Sequence, residues 1–109
     1  MSKYNNVKCQ YDGMRFDSIA EAERYILLKD AMRRGIISGL EMQVPFEIVP
    51  ADTGADGKKL RALKYVADFT YYDRKGNLHV EDVKGVRTAV YKRKKRLMWH
   101  IYRISIEEV

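Results

Sequence analysis

Alternating apolar and polar residues predict strands at several places along the chain. The densest is Tyr65–Tyr72, YVADFTYY, rich in β-branched and aromatic side chains. A second run, Leu78–Lys84, follows the turn cluster Asp73-Arg74-Lys75-Gly76-Asn77, where Gly or Asn can take a positive φ. A hairpin centred on Lys75 sets Asp68 opposite Asp82. Upstream, Leu40, Met42 and Val44 alternate with Glu41 and Gln43 inside an extended stretch, Ile36–Val49. Pro45 has no N–H to give a ladder, so a bend or an edge position is expected there. Val7–Phe16 reads as a short hairpin on Asp12-Gly13, with Cys9 and Tyr11 on one face. Tyr102–Ile106 reads as a final strand, with Glu107-Glu108-Val109 as a tail.

Two stretches carry helical spacing instead. Ser18 and Glu21 fit a capping box. Ala22, Tyr25, Ile26, Leu28 and Met32 then give an apolar stripe, and the helix is expected to run to about Arg34 and stop at Gly35. A second helix follows Thr88 as N-cap, with Val90, Tyr91, Leu97 and Met98 on one side and Trp99 and Tyr102 read as core. Pro50–Lys59 has no apolar period and reads as a loop, whose Lys58 and Lys59 could meet an anion. The order is helix, three strands, helix, strand, behind a small hairpin. This predicts an α/β fold with a mixed central sheet, in one domain spanning residues 1–109.

The composition narrows the partners. With 109 residues, 46% apolar, one domain-sized core is expected. The net charge of +6 favours an anionic partner without naming it. Cys9 is the sole cysteine, which excludes an internal disulfide, suits a reducing cytoplasm, and is expected to be a small buried hydrophobe. The N-terminal MSKYNNVK has no apolar leader run, and no stretch reaches membrane-spanning length, so no membrane partner is expected.

The candidate chemistry lies in the hairpin. Like charges opposite each other across strands are destabilising, so Asp68 facing Asp82 asks for a cation between them. Alternation puts Lys84 on the Asp82 face. Glu81 points the other way in a regular strand, but a bulge would exchange it with Asp82, making it the main rival ligand. Glu21 is either a helix cap or a first-turn carboxylate reaching the same cation. Gln43 could support that face. Between Val83 and Ile106 there are eight Lys or Arg and no acid, a one-signed run suited to phosphates: Arg87, Lys92, Arg93, Lys95 and Arg96 are its candidates. His79 and His100 have no metal-ligand spacing and are read as structural.

Asp68 followed by Asp82-Val83-Lys84, with the capped Glu21 helix before and the basic helix after, resembles the PD-(D/E)XK nuclease superfamily. The resemblance spans nearly the whole chain. Phe16-Asp17-Ser18 with Glu21, the Gln43 strand, Tyr65–Phe69, Glu81–Gly85 and Tyr91-Lys92 resemble more closely a family of small phage and prophage proteins placed in that superfamily, described as Holliday-junction-resolvase-like. Ala67 stands where the motif has Pro, a departure many members share. The resemblance implies a restriction-endonuclease-like αβββαβ core and a metal-dependent DNA endonuclease, structure-specific for branched or double-stranded DNA in phage recombination or replication. It implies Mg²⁺ or Mn²⁺ on Asp68, Asp82, the Val83 carbonyl and Glu21, with Lys84 acting on the attacking water, and a homodimer to cut two strands. The alternative is a non-catalytic nucleic-acid-binding accessory protein on the same fold.

Overall fold

The computed structural model describes residues 8–83 and 87–109. Residues 1–7 and 84–86 lie outside the described residues, and with them Val7, Gly85 and the candidate Lys84. The chain forms β1 (Cys9–Tyr11), β2 (Met14–Phe16), α1 (Ile19–Arg33), β3 (Ile37–Val49), β4 (Asp52–Thr53), β5 (Lys59–Leu60), β6 (Leu63–Asp73), β7 (Leu78–Asp82), α2 (Ala89–Tyr102) and β8 (Glu107–Glu108). The fold is mixed α/β: an N-terminal hairpin, two helices and a four-stranded mixed sheet of order β3-β6-β7-β8. β3, β6 and β7 pair antiparallel, and β8 joins β7 in parallel after α2.

Local chemistry accounts for most boundaries. The β1–β2 turn takes positive φ at both Asp12 and Gly13, as a two-residue hairpin turn requires. Ser18 caps α1 through its hydroxyl, which accepts from Glu21 N at 3.1 Å. Thr88 does the same for α2 through Tyr91 N. Gly35, at φ +75°, lets the chain turn out of α1. The loop after β3 closes on itself as the small β4–β5 hairpin.

The core is two clusters, one beneath each helix. Phe16, Ala22, Tyr25, Leu28, Phe69 and Tyr71 pack with α1. Ile48, Tyr65, Ala67, Val80, Tyr91, Met98 and Ile106 pack with α2. Neighbouring β7 residues point to opposite sides: Val80 joins the α2 cluster while Glu81 meets Arg24 of α1. β6 serves both clusters in turn, and the changeover falls at Asp68. Its partner strand changes over beside it, where Met42 packs with the first cluster and Phe46 with the second. Gln43 sits at that point with φ +53°, a left-handed backbone costing a non-glycine residue roughly 1–2 kcal/mol.

Pro45 lies on an edge strand, as its missing N–H leads one to expect, and pairs in register with Val66, while the positive φ in β3 is at Gln43. Several other expectations are corrected. Tyr102–Ile106 is not a strand. α2 continues through Tyr102, Arg103 ends it in the left-handed conformation, and Glu107–Glu108, expected as a tail, form β8. Ile26 and Val90 fall outside the buried stripes, and Trp99 and Tyr102, expected in the core, are 51% and 41% exposed. Cys9 is only partly buried, packed against the α1 cluster. Among the described residues, no helix is long and apolar enough to cross a membrane.

Candidate active site

The β6–β7 register follows the turn centred on Lys75. It pairs Tyr72 with Leu78 and Phe69 with Glu81, and Asp68 and Asp82 are the next residues along each strand. Asp68 is half-buried there and ties its carboxylate to the neighbouring strand, because Oδ2 accepts from the Val83 N–H at 2.7 Å. Its other oxygen, Oδ1, accepts from Gln43 Nε2 at 3.3 Å. The same nitrogen donates to Glu21 Oε1 at 3.0 Å. Carboxylates from α1 and β6 therefore meet at one amide group, which a left-handed residue carries in from β3. Strained backbone at a non-glycine residue concentrates at working sites. A cavity of about 370 Å³ between β2, the start of α1 and β3 has Phe16, Asp17, Met42, Glu21 and Gln43 in its walls.

Asp82 is fully buried. Its Oδ2 accepts from the Tyr65 hydroxyl at 2.6 Å. Burial, then the bond to Asp82 and the charge of Asp82 hold the Tyr65 phenol far above its ordinary pKa, so it remains a hydrogen-bond donor. Tyr65 is a site residue that the sequence does not single out; its ring is buried with Ala67, Phe69 and Tyr71 along β6.

Glu81 is differently engaged. It is 1% exposed, accepts from Arg24 Nε at 2.7 Å and Nη2 at 2.6 Å, and accepts a short bond from the Tyr71 hydroxyl. A regular β7 places it on the α1 side, away from Asp82, without the bulge that would have exchanged them. Both of its oxygens already serve donors.

Among the described residues, no three acidic, histidine or cysteine side chains are grouped closely enough to hold a metal ion. Glu21 and Asp68 are nonetheless a donor set that suits Mg²⁺ or Mn²⁺. Mg²⁺ is commonly held by one or two carboxylates with waters and substrate phosphates completing its octahedron. The shared Gln43 amide places its positively polarised N–H group between the two acids.

The basic helix divides into two sets. Glu108 Oε2 accepts from the Tyr91 hydroxyl at 2.7 Å, from Lys95 Nζ at 3.1 Å and from Arg87 Nε at 3.2 Å. The Tyr91 bond and then Lys95 hold the Glu108 carboxyl down at about 2. Arg87 and Lys95 thus anchor β8, whose acids stand opposite Glu81 and Asp82 in the parallel ladder. Their positive charge offsets the like-charge repulsion there. Lys92, Arg93 and Arg96 are exposed on α2. His79 stacks on Tyr71 and bridges Glu107 Oε2 at 2.7 Å and Asp73 Oδ2 at 2.9 Å, a structural role as expected.

Over residues 1–107 the chain matches the family described as Protein of unknown function (DUF1064). No curated protein and no solved structure matches it.

Proposed function

The chain belongs to the DUF1064 family, whose description assigns no activity, and we propose that it is a metal-dependent endonuclease that hydrolyses phosphodiester bonds in DNA, structure-specific for branched substrates. The observation that carries this reading is the convergence of Glu21 and Asp68 on the Gln43 amide. The order of elements and the acid–acid–lysine pattern of the PD-(D/E)XK superfamily support it.

Asp68 and Glu21 would hold the Mg²⁺ or Mn²⁺, with Asp82 and the Val83 carbonyl completing the protein ligands. When bound, such a cation polarises a phosphodiester oxygen and lowers the pKa of a coordinated water. Gln43 gathers Glu21 and Asp68 by donating to both, and Tyr65 orients Asp82 by donating to it. Lys84, two residues beyond Asp82, takes or orients the proton of the attacking water. Lys92, Arg93 and Arg96 bind phosphates, so affinity falls steeply with salt. The single cysteine suits a cytoplasmic setting, and a homodimer would supply a second site for the second strand.

The test is cleavage of linear, nicked, flap and four-way DNA in Mg²⁺ or Mn²⁺. Metal-dependent cutting, strongest on branched DNA and lost in Asp68→Asn and Lys84→Ala, is expected. Cutting that survives both substitutions would sink the proposal. DNA binding with no cutting in any metal would favour the non-catalytic accessory protein.

A further inference from the structure

Trp99 is the only tryptophan in the chain, and it is half exposed on α2, as are Val90, Ile101 and Tyr102. A tryptophan that served the core would sit with Tyr91 and Met98, which are 6% and 0% exposed. Instead its indole forms one wall of a cavity of about 260 Å³. Lys92, Lys95 and Arg96 line the same cavity, and Ile104–Ile106 close its far side. The guanidinium of Arg103 lies 5.4 Å from the centre of the indole ring. Helical spacing makes this a stripe: Lys92, Arg96 and Trp99 follow one another at four- and three-residue steps along one face. The cavity is below the ~300 Å³ at which sites for drug-sized ligands begin, so it suits one flat ring system. Its charge is of one sign except where Glu108 holds Lys95.

We infer that this cavity is a stacking subsite for a single unpaired base of a DNA strand whose phosphates run along α2. The inference rests on the proposed nuclease reading and gives it a substrate feature: a nucleotide out of the duplex, as flaps, gaps and junctions present. An aromatic platform flanked by cations is how proteins hold single strands without reading sequence. Tyr91 bonds to Glu108, which pairs with Asp82 across the ladder, and Trp99 lies about 12 Å beyond Tyr91 along the helix axis at 1.5 Å per residue.

The single tryptophan makes the test direct. The full chain is titrated with a fluorescein-labelled single-stranded oligonucleotide, its fully abasic counterpart and a blunt duplex, in EDTA to prevent cutting, following anisotropy and Trp99 emission together. Emission should be quenched by the base-bearing single strand and not by the abasic one. Trp99→Ala should weaken single-strand binding by about tenfold or more, the scale of one lost stacked base. Trp99→Phe should recover most of it. Binding by anisotropy with no quenching and no loss in Trp99→Ala would overturn the subsite and leave the nuclease reading standing. Cleavage in Mn²⁺, measured separately, decides that reading. Emission that shifts with protein concentration in the absence of DNA would mean that a second copy covers the indole, and would also overturn the subsite.

Discussion

Removing the guanidinium of Arg24 tests whether Glu81 is a structural carboxylate or a candidate ligand. Glu81 is 1% exposed and its oxygens accept from Arg24 and Tyr71. Taking one partner from a buried ion pair costs roughly 3–5 kcal/mol, because the remaining charge is left uncompensated. The Arg24 side chain is 30% exposed, so water reaches the gap and the lower end applies, about 3 kcal/mol for Arg24→Met. For a chain of this size that lowers the melting temperature by roughly 12 °C. Removing both charges in Arg24→Met with Glu81→Leu should recover at least half of the loss. It will not recover all of it, since the Tyr71 hydroxyl then loses its acceptor, at about 1–3 kcal/mol. Thermal and urea unfolding of the wild type, both single variants and the double variant give the cycle. A single variant within about 0.5 kcal/mol of wild type, the ordinary range for surface changes, would refute the burial argument and return Glu81 to the candidate ligands.

Gln43→Ala and Gln43→Gly both delete the bridging amide and differ only in backbone tolerance, so the alanine variant should be less stable by roughly 1 kcal/mol in urea unfolding; equal stability would deny the left-handed strain. His79 is held above its ordinary pKa, by Asp73 first and then Glu107, so its contribution is full below about pH 6.5 and fades as pH rises through the raised value. Asp73 is held down at about 2, chiefly by His79, so its contribution is present above its ordinary 3.8 and fades as pH falls toward 2. The melting temperature should therefore plateau between these limits, and its alkaline decline should shrink in His79→Gln; an unchanged decline would contradict the bridge. In DNA binding, Lys92→Ala or Arg96→Ala should lower the slope of log K against log salt by about 0.9 per lost phosphate contact. Lys95→Ala should change that slope less, because Glu108 already engages Lys95; equal slopes for the three would contradict the division of the helix.

Local chemistry is what the sequence made legible. Asp12-Gly13, the Ser18 and Thr88 caps and the Asp73–Asn77 turn each write their structure in a few adjacent residues, and the Lys75-centred register followed from them. The pairing of Asp68 with the β7 end was legible for the same reason. The kink at Gln43 was not, because a glutamine in the left-handed region carries no local signature and is held there by the strands around it. The end of the chain misled in the opposite way. Tyr102, Ile104 and Ile106 alternate like a strand, but Ile104 and Ile106 pack against the α2 cluster while the chain crosses to β7. Glu107 and Glu108 look like a solvated tail until His79, Lys95 and Arg87 are brought beside them. These cations come from β7 and from α2 with the segment just before it, so only the fold could place them. Trp99 departs from the core expectation because exposure depends on which side of the helical stripe the partner element lies, and that the local pattern does not carry.

The account turns on whether Asp68 and its neighbours hold one divalent cation, and anomalous diffraction from Mn²⁺-soaked crystals asks that directly. The predicted result is one peak bonded to Asp68 at about 2.1 Å, with Glu21 and Asp82 bound directly or through one water, and with the Gln43 amide displaced from its bridge. A Mn²⁺ peak only elsewhere, or none while Gln43 still spans Glu21 and Asp68, would contradict it.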